Sequence, residues 1–423
     1  MKQGIVVGGG ITGVTVAGSL SFPCLILEEK ERLGGLLKSY HIEGFTFDTD
    51  GHFLHFRNPK IKEAVLKKCG SILKPHTRDS VIFWRGKIVP FPLQRHLYYI
   101  PSSLSTRIFS EVIIQRWGRR KSKVTLEDYL FYRYGKTLLE KFFRPYFYKL
   151  YGINLSLIPF SEVARFFPSD RVEDILRGYI SPSSSPSGYN RVFYYPKEGG
   201  IEEFFQRWRE KDIPYITNKK VIRIYWKRKI VEVEGGEKIP YSFLVYTPPL
   251  VKLFPLLSPP LTSISRRKFF FNSLLCFNIG VKGDSSLKYQ WIYFPEKIFT
   301  FFRVGFYSRV SSSLAPSGHF SLYVEVANRV YSKSLEKRIL KELREVNILK
   351  DSHQVKVIFP VEIKYAYPFY LGERKELERI FSSLRERDIY PAGRYGKWSY
   401  YSIEDCIQEG ESVAKDIQER WKV

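Results

Sequence analysis

The run GIVVGGGITGVTVAGSL, Gly4 to Leu20, passes from β-branched residues into a cluster of glycines and then into small and apolar residues. The first part reads as a buried strand and the last as a helix. Gly8, Gly10 and Gly13 stand between them in the order G-x-G-x-x-G. Such glycines allow a tight turn, close approach of backbone N–H groups to a pyrophosphate, and close packing of helix on strand. Ile11 and Thr12 fall in the first helical turn, where the N-terminus favours phosphate charge. Beyond it, CLILEEK (Cys24 to Lys30) reads as a second strand ending in Glu28 and Glu29. Glu28 sits where an acid accepts hydrogen bonds from an adenosine ribose. This β-α-β pattern predicts a dinucleotide site in an α/β, Rossmann-like domain.

Outward from this unit the character of the chain changes twice. TLEDYLFYRYGKTLLEKFFRPYFYKLYG (Thr125 to Gly152) carries apolar residues at helical spacing, with Thr125 as N-cap. SPSSSPSG (residues 181–188) reads as an exposed loop or boundary. After it, KVIRIYWKRKIVEVEGGEKIPYSFLVYTPP alternates apolar and polar residues around a GGEK turn, as in β-hairpins. YQWIYFPEKIFTFFRVGFYSR and HFSLYVEVANRV also read as strands, and SLEKRILKELREV puts Leu335, Ile339, Leu343 and Val346 on one helical face. The C-terminus returns to a β-turn-α pattern, with Ile403, Ile407, Gly410, Ala414 and Ile417 in a stripe. The expectation is a discontinuous nucleotide-binding domain (1–80, 190–250 and 380–423) interrupted by a helical domain (81–189) and an antiparallel-sheet substrate domain (251–379).

The 423 residues suffice for two or three domains, and 44% hydrophobic with 26% charged residues excludes a disordered or fibrous chain. No apolar run is long enough to span a bilayer, and the N-terminus does not read as a signal peptide. The four cysteines are far apart and form no CxxC, so a reducing, cytoplasmic setting is expected. The net charge of +25 favours anionic partners and leaves peripheral contact with an anionic membrane open. The basic residues are dispersed, however, and fit a compositional bias such as a thermophile's. RWGRRKSK (residues 116–123) is the one dense cluster and reads as a solvated loop, so no nucleic-acid partner is expected.

EEKERLGGLLKSY places Gly34 and Gly35 just after the acidic strand end, where a second glycine pair permits another backbone approach to a cofactor. With Arg32 these form an R-x-G-G segment, and here the sequence resembles the flavin-containing amine oxidase superfamily, whose cofactor is FAD. Leu36 stands where that group often carries Arg, a departure from typical amine oxidases. Further islands resemble the UDP-galactopyranose mutase family. They are GHFLH (Gly51, His52, His55), PFPLQ (Pro90 to Gln94), FFRPYFYKLYG with Tyr151 for Trp, WIYFPEKIFTFFRV with Arg303, and GRYGKWSYYSIED with Gly393, Arg394, Gly396 and Tyr400.

This resemblance implies an FAD domain with inserted helical and antiparallel-sheet domains. It also implies attack by reduced flavin N5 on the anomeric carbon of a UDP-sugar, with ring opening and reclosure and no net redox change. It assigns the cofactor to Gly8, Gly10, Ile11, Thr12, Gly13, Glu28, Glu29, Gly34, Gly35, Leu36, Gly51, His52, Val221, Gly393, Arg394, Ser402 and Ile403. His52 and Arg303 become the catalytic residues, and Arg303, Tyr293, Tyr367 and Tyr400 the substrate-binding ones. The substrate is then a nucleotide sugar or another anionic small molecule, and an electron donor must reduce the flavin. Arg303 can grip phosphate oxygens in a bidentate way. On a strand it would share a face with Phe299, Phe301 and Tyr307. His52 and His55, three apart in an apparent strand, would point to opposite faces, so no metal is expected. The alternative is an FAD-dependent oxidoreductase acting on an amine, porphyrinogen or polyene. A cationic cleft would mark the mutase and an apolar tunnel a desaturase.

Overall fold

The computed structural model describes residues 3–115, 124–164, 167, 171–182, 191–261 and 266–421. The basic run 116–123 and most of the serine-rich run 181–188 lie outside the described residues.

A five-stranded parallel sheet runs in the order Ile389–Pro391, Phe243–Tyr246, Gly4–Val7, Cys24–Leu27, Tyr215–Ile216. Gly4–Val7 and Phe243–Tyr246 are buried at every position, as strands covered on both faces must be. Val6 and Val245 face helix Ile11–Ser19 and the C-terminal helix Ile403–Trp421, and Ile5, Val7 and Leu244 face helix Arg374–Glu386 and a small β-meander of Val221–Tyr225, Ile230–Val233 and Lys238–Pro240. Gly410 lets the two helices meet, since a Cβ there would stand 2.9 Å from Thr15 Cβ.

The second sheet has seven strands, in the order Gln354–Ile363, Leu274–Lys282, His319–Ala327, Arg303–Gly305, Trp291–Tyr293, Ser80–Trp84, Lys87–Pro90. It is antiparallel except where Trp291–Tyr293 runs parallel to Ser80–Trp84. One face packs with Ile339 and Leu343 of helix Lys333–Glu345, and the other faces the nucleotide domain. A helical lobe of Ser102–Gln115, Leu126–Leu138, Arg144–Tyr151 and Val172–Ile180 closes the third side. Thr125 caps Leu126–Leu138 in a capping box with Asp128.

Four expectations need correction. Ser80–Trp84 crosses the expected boundary at 81, and the hairpin to Lys87–Pro90 belongs to the large sheet. The expected boundary at 380 cuts helix Arg374–Glu386, whose Leu377, Phe381 and Leu384 pack with the nucleotide sheet. Phe243–Tyr246 leaves the meander to join that parallel sheet, because its four consecutive apolar residues need cover on both faces. Gly51–Asn58 is not a strand: only Leu54 pairs, in a single bridge to Tyr194. Among the described residues no helix is long and apolar enough to cross a membrane.

Candidate active site

Strand Gly4–Val7 ends in Gly8 at φ +93°, where a Cβ would stand 2.4 Å from Thr247 Oγ1. That hydroxyl donates to Val7 O (2.9 Å) and Gly8 O (3.2 Å) and holds the turn. Gly10 is the N-cap of Ile11–Ser19 and no side chain caps it, so the first-turn N–H groups are left for a ligand. The second glycine pair closes from the other side. Gly34 N donates to Gly9 O (2.9 Å), and a Cβ on Gly35, at φ +59°, would stand 3.2 Å from Gly10 Cα. The result is a slot between two bare backbones. Glu28 is buried beside it, accepting from Gly9 N (2.8 Å) and Lys30 N (2.9 Å), so it shapes the glycine turn as well as facing the slot.

The slot opens into a cavity of about 990 Å³. Its wall includes Gly8, Gly10, Ile11, Thr12, Glu28, Glu29, Gly34, Gly35, Leu36, Gly51, His52, Val221, Arg394, Ser402 and Ile403, together with Tyr293, Arg303, Tyr367 and Tyr400. Gly13 and Gly393 are not on the wall. A Cβ on Gly13 would lie 2.0 Å from Gly8 O and one on Gly393 2.2 Å from Thr12 Oγ1, so both glycines serve packing behind the slot. Arg32 also turns away, pairing with Glu202 and donating to Ser39 O (3.0 Å).

Beyond the slot the large sheet supplies a row of polar side chains. Strand register sets Cys276, Glu325, Arg303 and Tyr293 side by side on four neighbouring strands. Arg303 is not an unpaired cation: its Nε and Nη2 both donate to the fully buried Glu325 carboxylate. Burial pushes the Glu325 carboxyl up to about 8 against the opposing pull of Arg303, with Asp50 adding to the rise. Phe299 and Phe301 do not form the wall around Arg303; they pack on the far face of the sheet, while Phe302 lines the cavity. Tyr307 lies beneath, donating to Asp48 O (3.2 Å) and Asn278 Oδ1 (3.0 Å).

Because Gly51–Asn58 is irregular, His52 and His55 both face the cavity and do not diverge. The Nδ1 atoms of both are buried without a partner. Burial pushes His52 below its ordinary value, and burial followed by the charges of Arg78 and Arg303 pushes His55 down to about 3. Both are neutral imidazoles able to exchange one hydrogen bond with a bound group.

Arg78 and Asp50 escape sequence reasoning. Arg78 is buried, donates from Nε to Ser80 Oγ (2.8 Å) and from Nη2 to Tyr293 OH (3.0 Å), and stacks on Phe91 at 4.2 Å, and among the described residues no carboxylate pairs with it. Its only signal is the alternation Arg78, Ser80 ahead of an apolar strand. Asp50 lines the cavity with Oδ1 buried and unpartnered, hidden in the sequence by the glycine and histidine beside it. The helical lobe adds Phe142, Phe143, Tyr146, Phe147, Leu150 and Phe167.

A slot between two glycine turns, at an uncapped helix start and with an acid at the second strand's end, defines a dinucleotide-binding flavoprotein fold. The chain belongs to the flavin-containing amine oxidoreductase family, whose model matches residues 15–418, and its cofactor is FAD. The residues fit that group: besides the glycine slot, Arg394 Nε and His52 Nδ1 are buried and without partners on or beside the cavity wall. Among solved structures the chain is similar to a reduced UDP-galactopyranose mutase (23% identity, TM-score 0.91, covering 100% of this chain and 97% of that one). It is also similar to a protein described as a protoporphyrinogen oxidase from Exiguobacterium sp. 255-15 (17%, TM-score 0.79, 99% of each chain). A third is a CLA-producing fatty acid isomerase from P. acnes (13%, TM-score 0.68, 100% and 99%). At these identities the likeness is one of fold.

Proposed function

We propose that this flavin-dependent enzyme is a pyranose/furanose mutase acting on a UDP-sugar. The observation that carries the reading is the charge of the cavity wall. Arg78, Arg303 and Arg394 line the cavity with His52 and His55, against Asp50 as the carboxylate beside them, and burial pushes the Glu325 carboxyl that pairs with Arg303 behind the wall up to about 8. Excess positive charge in a site walled from water calls for an anionic substrate. When bound and reduced, the flavin supplies an electron-rich N5 as nucleophile. Arg78 and Arg303 bind the diphosphate and stabilise charge as it leaves. Tyr146, Tyr293, Tyr367 and Tyr400 orient the sugar, and the nucleotide's binding energy holds the anomeric carbon in place. Phe142, Phe143 and Phe147 exclude water. An electron donor and a cytoplasmic setting go with this reading; the four cysteines are free thiols.

The test is anaerobic incubation of the dithionite-reduced protein with UDP-galactopyranose and related UDP-sugars, with furanose products resolved by chromatography. Product in excess of the electrons supplied is expected. A second reading, an FAD-dependent oxidoreductase for an apolar substrate, draws support from the aromatic wall of the helical lobe. It would be favoured by bleaching of the oxidised flavin on adding an amine, porphyrinogen or polyene, with no furanose formed.

A further inference from the structure

Strand Trp291–Tyr293 places an indole and a phenol two residues apart, so both side chains leave the same face of the large sheet. Trp291 Nε1 donates to Tyr293 OH (3.0 Å), and Arg78 Nη2 donates to the same oxygen (3.0 Å). Indole and guanidinium nitrogens are donors only. The phenol oxygen is therefore the acceptor in both bonds, and its own hydrogen has to point elsewhere. Among the described residues that hydrogen meets no acceptor. Tyr293 is half-buried and lines the cavity, whereas Trp291 is buried behind the wall. The direction left to the hydrogen is the ligand space.

Both donors are pinned. Gln290 clamps the segment that carries Arg78: its N donates to Asp79 O (2.8 Å), its Nε2 donates to Thr77 O (3.1 Å), and its Oε1 accepts from Asp79 N (2.9 Å). Ser80 Oγ accepts from Arg78 Nε (2.8 Å), and the guanidinium lies over Phe91 at 4.2 Å and Trp291 at 5.3 Å. Trp291 in turn stacks on Phe53, ring centroids 5.4 Å apart. A hydroxyl free to rotate can meet either a donor or an acceptor. This one offers only a hydrogen, beside Arg78 and opposite Arg303 across the strand pair. An anionic oxygen suits all three groups, and its bond to the phenol is charge-assisted. A ligand ammonium would meet a hydrogen where it needs a lone pair, next to two permanent cations.

We propose that Trp291 and Arg78 lock the Tyr293 hydroxyl as a one-way donor into the cavity, and that Tyr293 thereby selects an anionic acceptor oxygen and turns amines away. Trp291 is a positioning residue: it acts through Tyr293 and reaches no ligand itself. That the selected oxygen belongs to a diphosphate rests on the mutase reading; the lock does not.

The experiment titrates the full-length FAD-loaded protein with UDP, uridine and inorganic pyrophosphate in a calorimeter. Tyr293→Phe should lower affinity for UDP and pyrophosphate by roughly 10- to 100-fold, the weight of a hydrogen bond to a charged group, and leave uridine within about threefold. Unchanged affinity for both anions would overturn the donor role. Trp291 is then replaced by benzothienylalanine, an isostere that keeps the fused rings and lacks the N–H, and in a separate variant by Phe. Each replacement should lower anion affinity by about 3- to 10-fold when Tyr293 is present and by nothing further in the Tyr293→Phe background, because the two residues act as one unit. Equal losses in both backgrounds would make Trp291 a packing residue and overturn the lock. Benzylamine displacing UDP at the concentrations at which pyrophosphate does so would overturn the selection for acceptors. Wild-type binding of pyrophosphate without UDP would strike the mutase reading and leave the lock to be decided by the pyrophosphate cycle. Binding of neither anion would overturn both.

Discussion

Arg303 is legible in the sequence as a cation next to aromatic residues, but the partner that determines its behaviour is not, because Glu325 is a cross-strand neighbour 22 positions away. Arg78 is harder still: little local sets it apart from the many other basic residues, and only the fold buries it with no carboxylate paired to it among the described residues. These two arginines should differ in the assay. Arg78→Met should weaken UDP binding by roughly 10- to 100-fold, the equivalent of about 1.5–3 kcal/mol for a charge-assisted contact. Flavin absorbance should be unchanged. Arg303→Lys should restore only part of what Arg303→Ala loses, since the two-pronged grip on Glu325 is gone. Isothermal titration with UDP reads both, and full affinity in Arg78→Met would remove that residue from the site. The buried titrating groups also predict opposite pH effects on stability. The folded-state value of Glu325 is raised from 4.5 to about 8, so its contribution is complete below about 4.5 and is lost as pH rises through 8. That of His55 is depressed from 6.5 to about 3, so its contribution is present above 6.5 and is lost as pH falls toward 3. Relative to wild type, Glu325→Gln should therefore gain Tm between pH 5 and 8, and His55→Leu should gain it between pH 6.5 and 4. Parallel Tm curves would mean these side chains do not titrate as their burial requires.

At the scale of elements, periodicity locates helices Leu126–Leu138, Arg144–Tyr151, Lys333–Glu345 and Ile403–Trp421, each of which buries a stripe, but it does not single out Pro59–Cys69, Ser102–Gln115 or Ile201–Trp208, and it misreads segments that tertiary pairing breaks up. YQWIYFPEKIFTFFRVGFYSR reads as strand, and within it Trp291–Tyr293 and Arg303–Gly305 pair. The connection between them is tied down elsewhere. Lys149, on helix Arg144–Tyr151, donates from Nζ to Phe294 O (2.8 Å) and Phe301 O (2.7 Å), the two ends of that connection. One ammonium thus staples the helix carrying Tyr146 to the strands carrying Tyr293 and Arg303. Burial pushes Lys149 down to about 7, with Glu342 and Glu296 only partly offsetting it. Lys149→Met keeps the aliphatic stem and removes both bonds, so it should destabilise the protein by about 1–3 kcal/mol. It should also loosen UDP binding more than FAD binding, since only the substrate side is stapled. Differential scanning calorimetry with parallel UDP and FAD titrations checks this; equal losses for both ligands would make the staple a general stabiliser and not a device of the substrate site.

At the scale of the whole molecule, the β-α-β start and the return to a β-turn-α pattern at the C-terminus were enough to foresee a nucleotide domain closed by both chain ends. The domain borders were not foreseeable, because Ser80–Trp84 and Arg374–Glu386 are defined by what they pack against and carry no breaker at the expected cut. Net charge is the property that composition states and the fold gives a direction. A chain of +25 attracts any anion, yet most basic residues are spread over the surface, where salt screens them beyond about 8–10 Å. The cavity arginines are enclosed by aromatic walls and are screened far less. The two populations should separate in the kinetics of UDP association. Raising ionic strength from about 0.05 to 0.5 M should slow association through loss of long-range steering, and leave dissociation, set by contacts inside the cavity, nearly unchanged. Stopped-flow binding followed by flavin absorbance measures both rates. An association rate indifferent to salt would make the surface charge a compositional trait with no part in capture. A dissociation rate that climbs steeply with salt would mean that the arginines of the wall are open to solvent, contrary to the enclosure on which the anionic-substrate reading depends.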